Sequence, residues 1–173
     1  MSRILDFYRG TRHHPRGVTI EEIWDWSNDR LEHEHTYIQW LFPLCDPSHA
    51  VPDSPIITDA EVGEFNRDPA LRDRVRRSLR LMLDFYGFTL LAAADPARGV
   101  TIVPSPSFAV RSHAWLTPGN HNHLRISRIL KSLCILGLQR EAREWFAALQ
   151  LVYGEHVDTI GSVTYHFWRS AVE

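Results

Sequence analysis

The stretch from Asp68 to Gly87 reads as one long amphipathic helix, and that helix dictates what can surround it. Asp68 offers a side-chain oxygen to the free N–H groups of a first turn. Pro69 stands at the one helical position where a missing N–H costs nothing. Leu71, Val75, Leu79, Met82 and Tyr86 then recur at helical spacing along one face, and Gly87 supplies a left-handed stop. An apolar stripe of this length must be covered by other elements of the same chain.

The same grammar recurs elsewhere. Thr19 with Glu22, and Thr58 with Glu61, fit the reciprocal capping box that opens helices. Ile126, Ile129, Leu130 and Leu133 form one face of a helix from His121 to Leu136, ended by Gly137. A further stripe, Ala142, Trp145, Phe146, Leu149 and Val152, predicts a helix from Gln139 to Tyr153. Asp158 is placed to cap a last helix whose inner face is Ile160, Val163, Phe167 and Ala171, with Gly161 weakening its first turn. Residues 29–42 read as one helix through Leu31, Ile38 and Leu41, ended by Pro43; shorter helices are expected near 3–9 and 19–26.

Two stretches break the pattern. Residues 43–57 hold four of the ten prolines and read as an extended surface connection. Residues 95–119, with Pro96, Pro104, Pro106 and Pro118, are expected to be non-helical. Within them VTIV (100–103) suits a short strand that pairs with FTLL (88–91) as a small hairpin, a minor ornament. The reading is an all-α domain of six to eight helices, packed as an irregular bundle or orthogonal array, with at most a small β-hairpin near 88–103. One domain spans 1–173, since no repeat or composition shift marks a second.

No apolar run is long enough to cross a bilayer, and the N-terminus has no signal-peptide pattern, so the expected location is cytoplasmic. Cys45 and Cys134 are expected to remain reduced thiols. The formal net charge of −2 gives no global attraction to nucleic acid.

Four stretches carry a family resemblance: DFYRG (6–10), RLEHEHTYIQWLFPL (30–44), LMLDFYGF (81–88) and HNHLRISRILKSL (121–133), followed by LGL (136–138). Together, from about residue 5 to about 150, they resemble the conserved domain of the opioid growth factor receptor family. The resemblance implies a relation to animal proteins that are nuclear-associated, non-classical receptors for an enkephalin pentapeptide and that add long tails to the domain. It also implies a stand-alone, prokaryotic kind of member, whose ligand is not an opioid peptide. The family pattern designates no catalytic or peptide-contacting residues to carry over.

Candidate chemistry is sparse. Glu32 and His35 have the i, i+3 spacing of a di-iron ligand pair, yet no second Glu-x-x-His exists. A mononuclear zinc site from His33 or His35 with His121 or His123 is the alternative to an ordinary polar helix face. The spelling His-Asn-His at 121–123 carries no nuclease mechanism, because nucleases of that name disperse those residues over a ββα element. Cys45 with His49 lies in a proline-rich loop, poorly oriented for a nucleophile. Arg72, Arg74, Arg76, Arg77 and Arg80 form a basic stripe, partly compensated by Asp73 and Asp84, and read as a solvated face rather than a phosphate track.

The helix at 121–136 is the most informative. His121, Arg125, Arg128 and Ser132 fall in one polar ridge, with Leu124 and Ile135 beside it. Arg128 is expected to be partly buried and to find an anion, either internal (Glu32 or Glu34) or a ligand's. The resulting reading is a non-enzymatic binding module that takes a peptide or protein segment in a groove between the helices at 29–42 and 121–136. Its site residues are His35, Gln39, Trp40, His121, Asn122, Arg125 and Arg128. No catalytic residue, metal or cofactor is assigned. An enzyme or small-molecule sensor using the same His/Arg/Gln cluster, and weak nucleic-acid binding, are the competing classes.

Overall fold

The computed structural model describes residues 2–48, 51–94, 97 and 99–173. They form a mainly helical fold with one two-stranded antiparallel sheet. In chain order the elements are α1 (Arg3–Tyr8), α2 (Ile20–Trp24), α3 (Asn28–His33), α4 (Tyr37–Leu41), α5 (Asp59–Arg67), α6 (Pro69–Tyr86), β1 (Phe88–Ala92), β2 (Val100–Pro104), α7 (Phe108–Arg111), α8 (His121–Ile135), α9 (Gln139–Glu155), α10 (Val157–Ile160) and α11 (Ser162–Ser170).

The start and stop signals act as their chemistry requires. Thr19 and Thr58 each close a capping box with Glu22 and Glu61, and Asp68 accepts from the Ala70 N–H at the head of α6. Gly87 ends α6 at φ +84°. Phe65, Leu71, Val75, Leu79 and Met82 are buried together with the inner faces of α8 and α9.

Among the described residues eleven α-helices stand where six to eight are expected, because two of the expected helices are broken and one short helix lies in a stretch expected to have none. Residues 29–42 form α3 and α4, separated at Glu34, whose backbone is extended (φ −87°, ψ 138°). Gly161 adopts φ +78° and splits the last helix into α10 and α11. That break rotates α11 so that Trp168 is fully buried, while Val163 and Phe167, expected inside, are 67% and 50% exposed. Residues 95–119 are not free of helix: α7 and a 3-10 turn at Ser112–Ala114 follow β2.

The hairpin pairs Phe88 with Pro104 and Leu90 with Ile102. It is more than an ornament, since Phe88, Leu90 and Ile102 are all buried. The Phe88 ring meets Phe108, Trp115 and Trp145 at centroid distances of 5.2, 6.3 and 6.4 Å. Leu44 and Ile56 form an isolated bridge across the proline-rich connection. Among the described residues, no helix is long and apolar enough to cross a membrane.

Candidate functional site

The break between α3 and α4 leaves backbone carbonyls without helical partners, and α8 supplies the missing donors. Arg125 Nη1 donates to Leu31 O at 3.1 Å. Its Nη2 donates to Glu34 O at 2.8 Å and to Glu32 O at 3.3 Å. A guanidinium at the C-terminus of α3 also meets the negative end of the helix dipole. Further along the same ridge, Arg128 Nη1 donates to Phe42 O at 2.9 Å and Ser132 Oγ to Pro43 O at 2.9 Å. Tyr8 Oη closes the series on Leu41 O. The polar ridge of α8 is therefore a row of caps for a segment that prolines and a helix break leave under-bonded.

Around Arg125 lies a compact polar network. The residue is 6% exposed. Its Nη2 donates to His35 Nδ1 at 3.0 Å and its Nη1 to Asn122 Oδ1 at 3.3 Å. Asn122, fully buried, donates to Glu32 Oε2 at 3.0 Å and accepts from Tyr86 Oη at 3.3 Å. Glu32 approaches Arg125 at 3.9 Å and His121 at 3.5 Å, and the His35 and His121 rings meet edge to face at 5.7 Å. Burial, followed by the charge of Arg125, pulls the His121 pKa below its ordinary value, against the opposing pull of Glu32.

Above the network the surface opens into a cleft of about 580 Å³. Its polar rim comes from His35, Gln39, His121, Arg125 and Arg128, and its apolar lining from Ile38, Leu44, Pro47, Val51 and Leu124. A second cleft of about 410 Å³ shares Leu44, Leu124 and Arg128 with the first and adds Phe167 and Ala171 from the C-terminal end. The two form one groove with Arg128 at the join. Gln39, with its amide assigned by hydrogen-bonding sense, donates to the carbonyls of His35 (2.9 Å) and Thr36 (3.1 Å).

Five of the seven expected residues thus line one cleft. Asn122 lies beneath it in the network. Trp40 lies elsewhere: its ring packs against Phe7 (5.3 Å) and His14 (5.5 Å), with the Arg3 guanidinium 5.2 Å above it. Of the two anions weighed for Arg128, an internal carboxylate or a ligand's, the first is absent among the described residues: Arg128 donates to the neutral Phe42 carbonyl, and Glu32 goes to Arg125. Groove residues missed in the sequence include Leu44, Val51 and Phe167. The first two sit in a connection read only as surface, and Phe167 was given to the core.

The other motifs have structural employment. His123 is buried, its Nε2 donating to Trp115 O at 2.9 Å. Among the described residues no three of His, Cys, Asp and Glu converge as metal ligands. In the arginine stripe, Arg74 pairs with Glu21, Arg76 with Asp73 and Glu141, and Arg74 and Arg77 lie over the Trp24 ring. Arg72 and Arg80 donate to backbone carbonyls. Cys45 and Cys134 are free thiols. The suggested partner of Cys45, His49, lies outside the described residues.

The conserved region of the opioid growth factor receptor matches residues 2–156. The chain belongs to this family. Rat opioid growth factor receptor is 42% identical over 142 residues, which cover 78% of this chain and 23% of the relative. The human receptor is 41% identical over the same length, 78% and 20% of the two chains. Opioid growth factor receptor-like protein 1 of Xenopus tropicalis is 38% identical over 128 residues, 72% of this chain and 24% of the relative. The chain thus matches about a quarter or less of the length of these family members. No solved structure matches it. The matched region contains the whole Glu32–Asn122–Arg125 network, whereas Phe167 and Ala171 of the groove fall beyond it.

Proposed function

We propose that the chain is a non-enzymatic binding module that captures a peptide or protein segment in the groove between the α3–α4 segment and α8. The observation that supports this most is the groove itself: a long apolar trough whose central residue, Leu124, is 66% exposed while Ile126, Ile129, Leu130 and Leu133 of the same helix are buried. Isolated exposed leucines are ordinary, but one lying in a trough with Leu44 and Phe167 leaves contiguous apolar surface of the kind that marks interaction sites. The rat and human relatives are called opioid growth factor receptor, which agrees with ligand capture. In this reading residues 1–173 are one domain, acting in the cytoplasm with both thiols reduced.

Selection of random peptides on the purified protein, followed by fluorescence polarisation of the recovered sequences, tests the reading. Leu124→Asp should weaken binding at least about tenfold, roughly 1.4 kcal/mol, while Leu151→Asp, at an apolar position 72% exposed and outside the groove, should leave it unchanged. Equal effects of both substitutions, or an effect of Leu151→Asp alone, would sink the groove as the capture site.

A further inference from the structure

We propose that the segment taken by this groove is acidic, with a Glu or Asp side chain paired to Arg128 and apolar side chains seated in the clefts on either side. The inference rests on the peptide-groove reading and adds the chemistry of the occupant.

Arg128 is partly buried and makes one hydrogen bond to the protein, Nη1 to Phe42 O. Its other N–H groups donate to no protein atom among the described residues, and it lines both clefts. Among the described residues, neither cleft has an Asp or Glu in its lining. A guanidinium carries five donors in a fixed planar fork, so one bond to a carbonyl leaves a face able to grip a carboxylate. Partial removal from water strengthens that pairing when a carboxylate arrives. Burial also draws the Arg128 pKa down from its ordinary value, the mark of a charge without an internal counterion.

The neighbouring cations are already used. Lys131 pairs with Asp46 at 3.0 Å, and Arg125 is consumed by three carbonyls, His35, Asn122 and Glu32. One uncompensated positive charge matches a monoanionic carboxylate better than a phosphate dianion, which would call for a second free cation. The flanks set the rest of the pattern: Ile38 and Val51 on one side of Arg128, Phe167 and Ala171 on the other.

The test uses two end-capped pentapeptides, Leu-Ala-Glu-Ala-Leu and its Gln counterpart, titrated into isotopically labelled protein and followed by amide chemical shifts. The Glu peptide should shift amides of residues 124–131 and 167–171 and bind at least about tenfold more tightly than the Gln peptide. Arg128→Gln, with folding checked by its thermal midpoint, should erase that preference, and Arg128→Lys should retain part of it. Equal binding of the two peptides by the unaltered protein overturns the pairing while leaving the groove standing. Absence of shifts in those segments with either peptide overturns the acidic-segment proposal, and the random-peptide selection then decides separately whether the groove binds anything.

Discussion

Arg125 and Arg128 lie three residues apart on α8, and their removal should not cost the same. Without Arg125, the carbonyls of Leu31, Glu32 and Glu34 lose their donor and Glu32 loses its buried counter-charge. Arg125→Ala should therefore destabilise the fold by about 3–5 kcal/mol, the usual cost of breaking a buried pair. Arg128→Ala forfeits one bond to one carbonyl at the edge of a groove, about 1 kcal/mol. Urea midpoints of the two variants check this; an Arg128→Ala loss as large as that of Arg125→Ala would mean Arg128 is wholly structural. The ridge on α8 was legible as a partly buried polar row, because helical geometry fixes which side chains share a face. Its partners were not legible. They are backbone carbonyls, and which carbonyls lack donors depends on where α3 ends, a fact the stretch 30–44 does not spell out.

At the level of elements, long helices with a continuous stripe, such as α6, α8 and α9, were readable almost to the residue. Local sequence carries both their ends and their inner face. The shortest elements were not. The α3–α4 break lies at Glu34–His35–Thr36, where no proline or glycine announces it, and it is held by Arg125 from 90 residues away. Residue Trp40 went with it: read as part of one long helix it faces the groove, whereas on α4 it packs against Phe7 and His14. The hairpin was anticipated in place but not in importance, since Gly87 carries it directly against α7. An added Cβ at Gly87 would lie 2.8 Å from the Phe108 Cα and 3.0 Å from the Arg111 Cβ, on a backbone at φ +84°. Gly119 has a similar φ of +68° with nothing within 4 Å. Gly119→Ala should cost about 1–2 kcal/mol, the conformational penalty alone. Gly87→Ala should cost more than that, because α7 must also move. Thermal unfolding of the pair isolates the packing part, and equal losses would show that the α6–α7 junction yields freely.

For the molecule as a whole, the question is whether the last helices belong to the folding unit or merely follow it. The family's conserved region ends at residue 156, just before α10 and α11. Yet Trp168 on α11 is fully buried, its Nε1 donates to the His123 carbonyl at 3.0 Å, and its ring meets the His123 ring at 5.8 Å. Ile160 is buried alongside, and the Tyr165 ring stacks on Tyr153 of α9 at 4.2 Å. Ending the chain at 156 would therefore expose the α8 surface that Trp168 covers. Truncation of a fully buried aromatic costs about 3–5 kcal/mol, a large share of the stability of a domain this size. The fragment 1–156 should consequently unfold at a markedly lower urea concentration than the full chain, and its loss should be matched in large part by Trp168→Ala in the full chain. Both proteins should show a single transition, as one cooperative unit requires. A fragment as stable as the full chain, or a separate early transition in the full chain that vanishes on truncation, would instead make α10 and α11 an independent appendage. Phe167 and Ala171 would then be a detachable wall of the groove, contributed from outside the conserved domain.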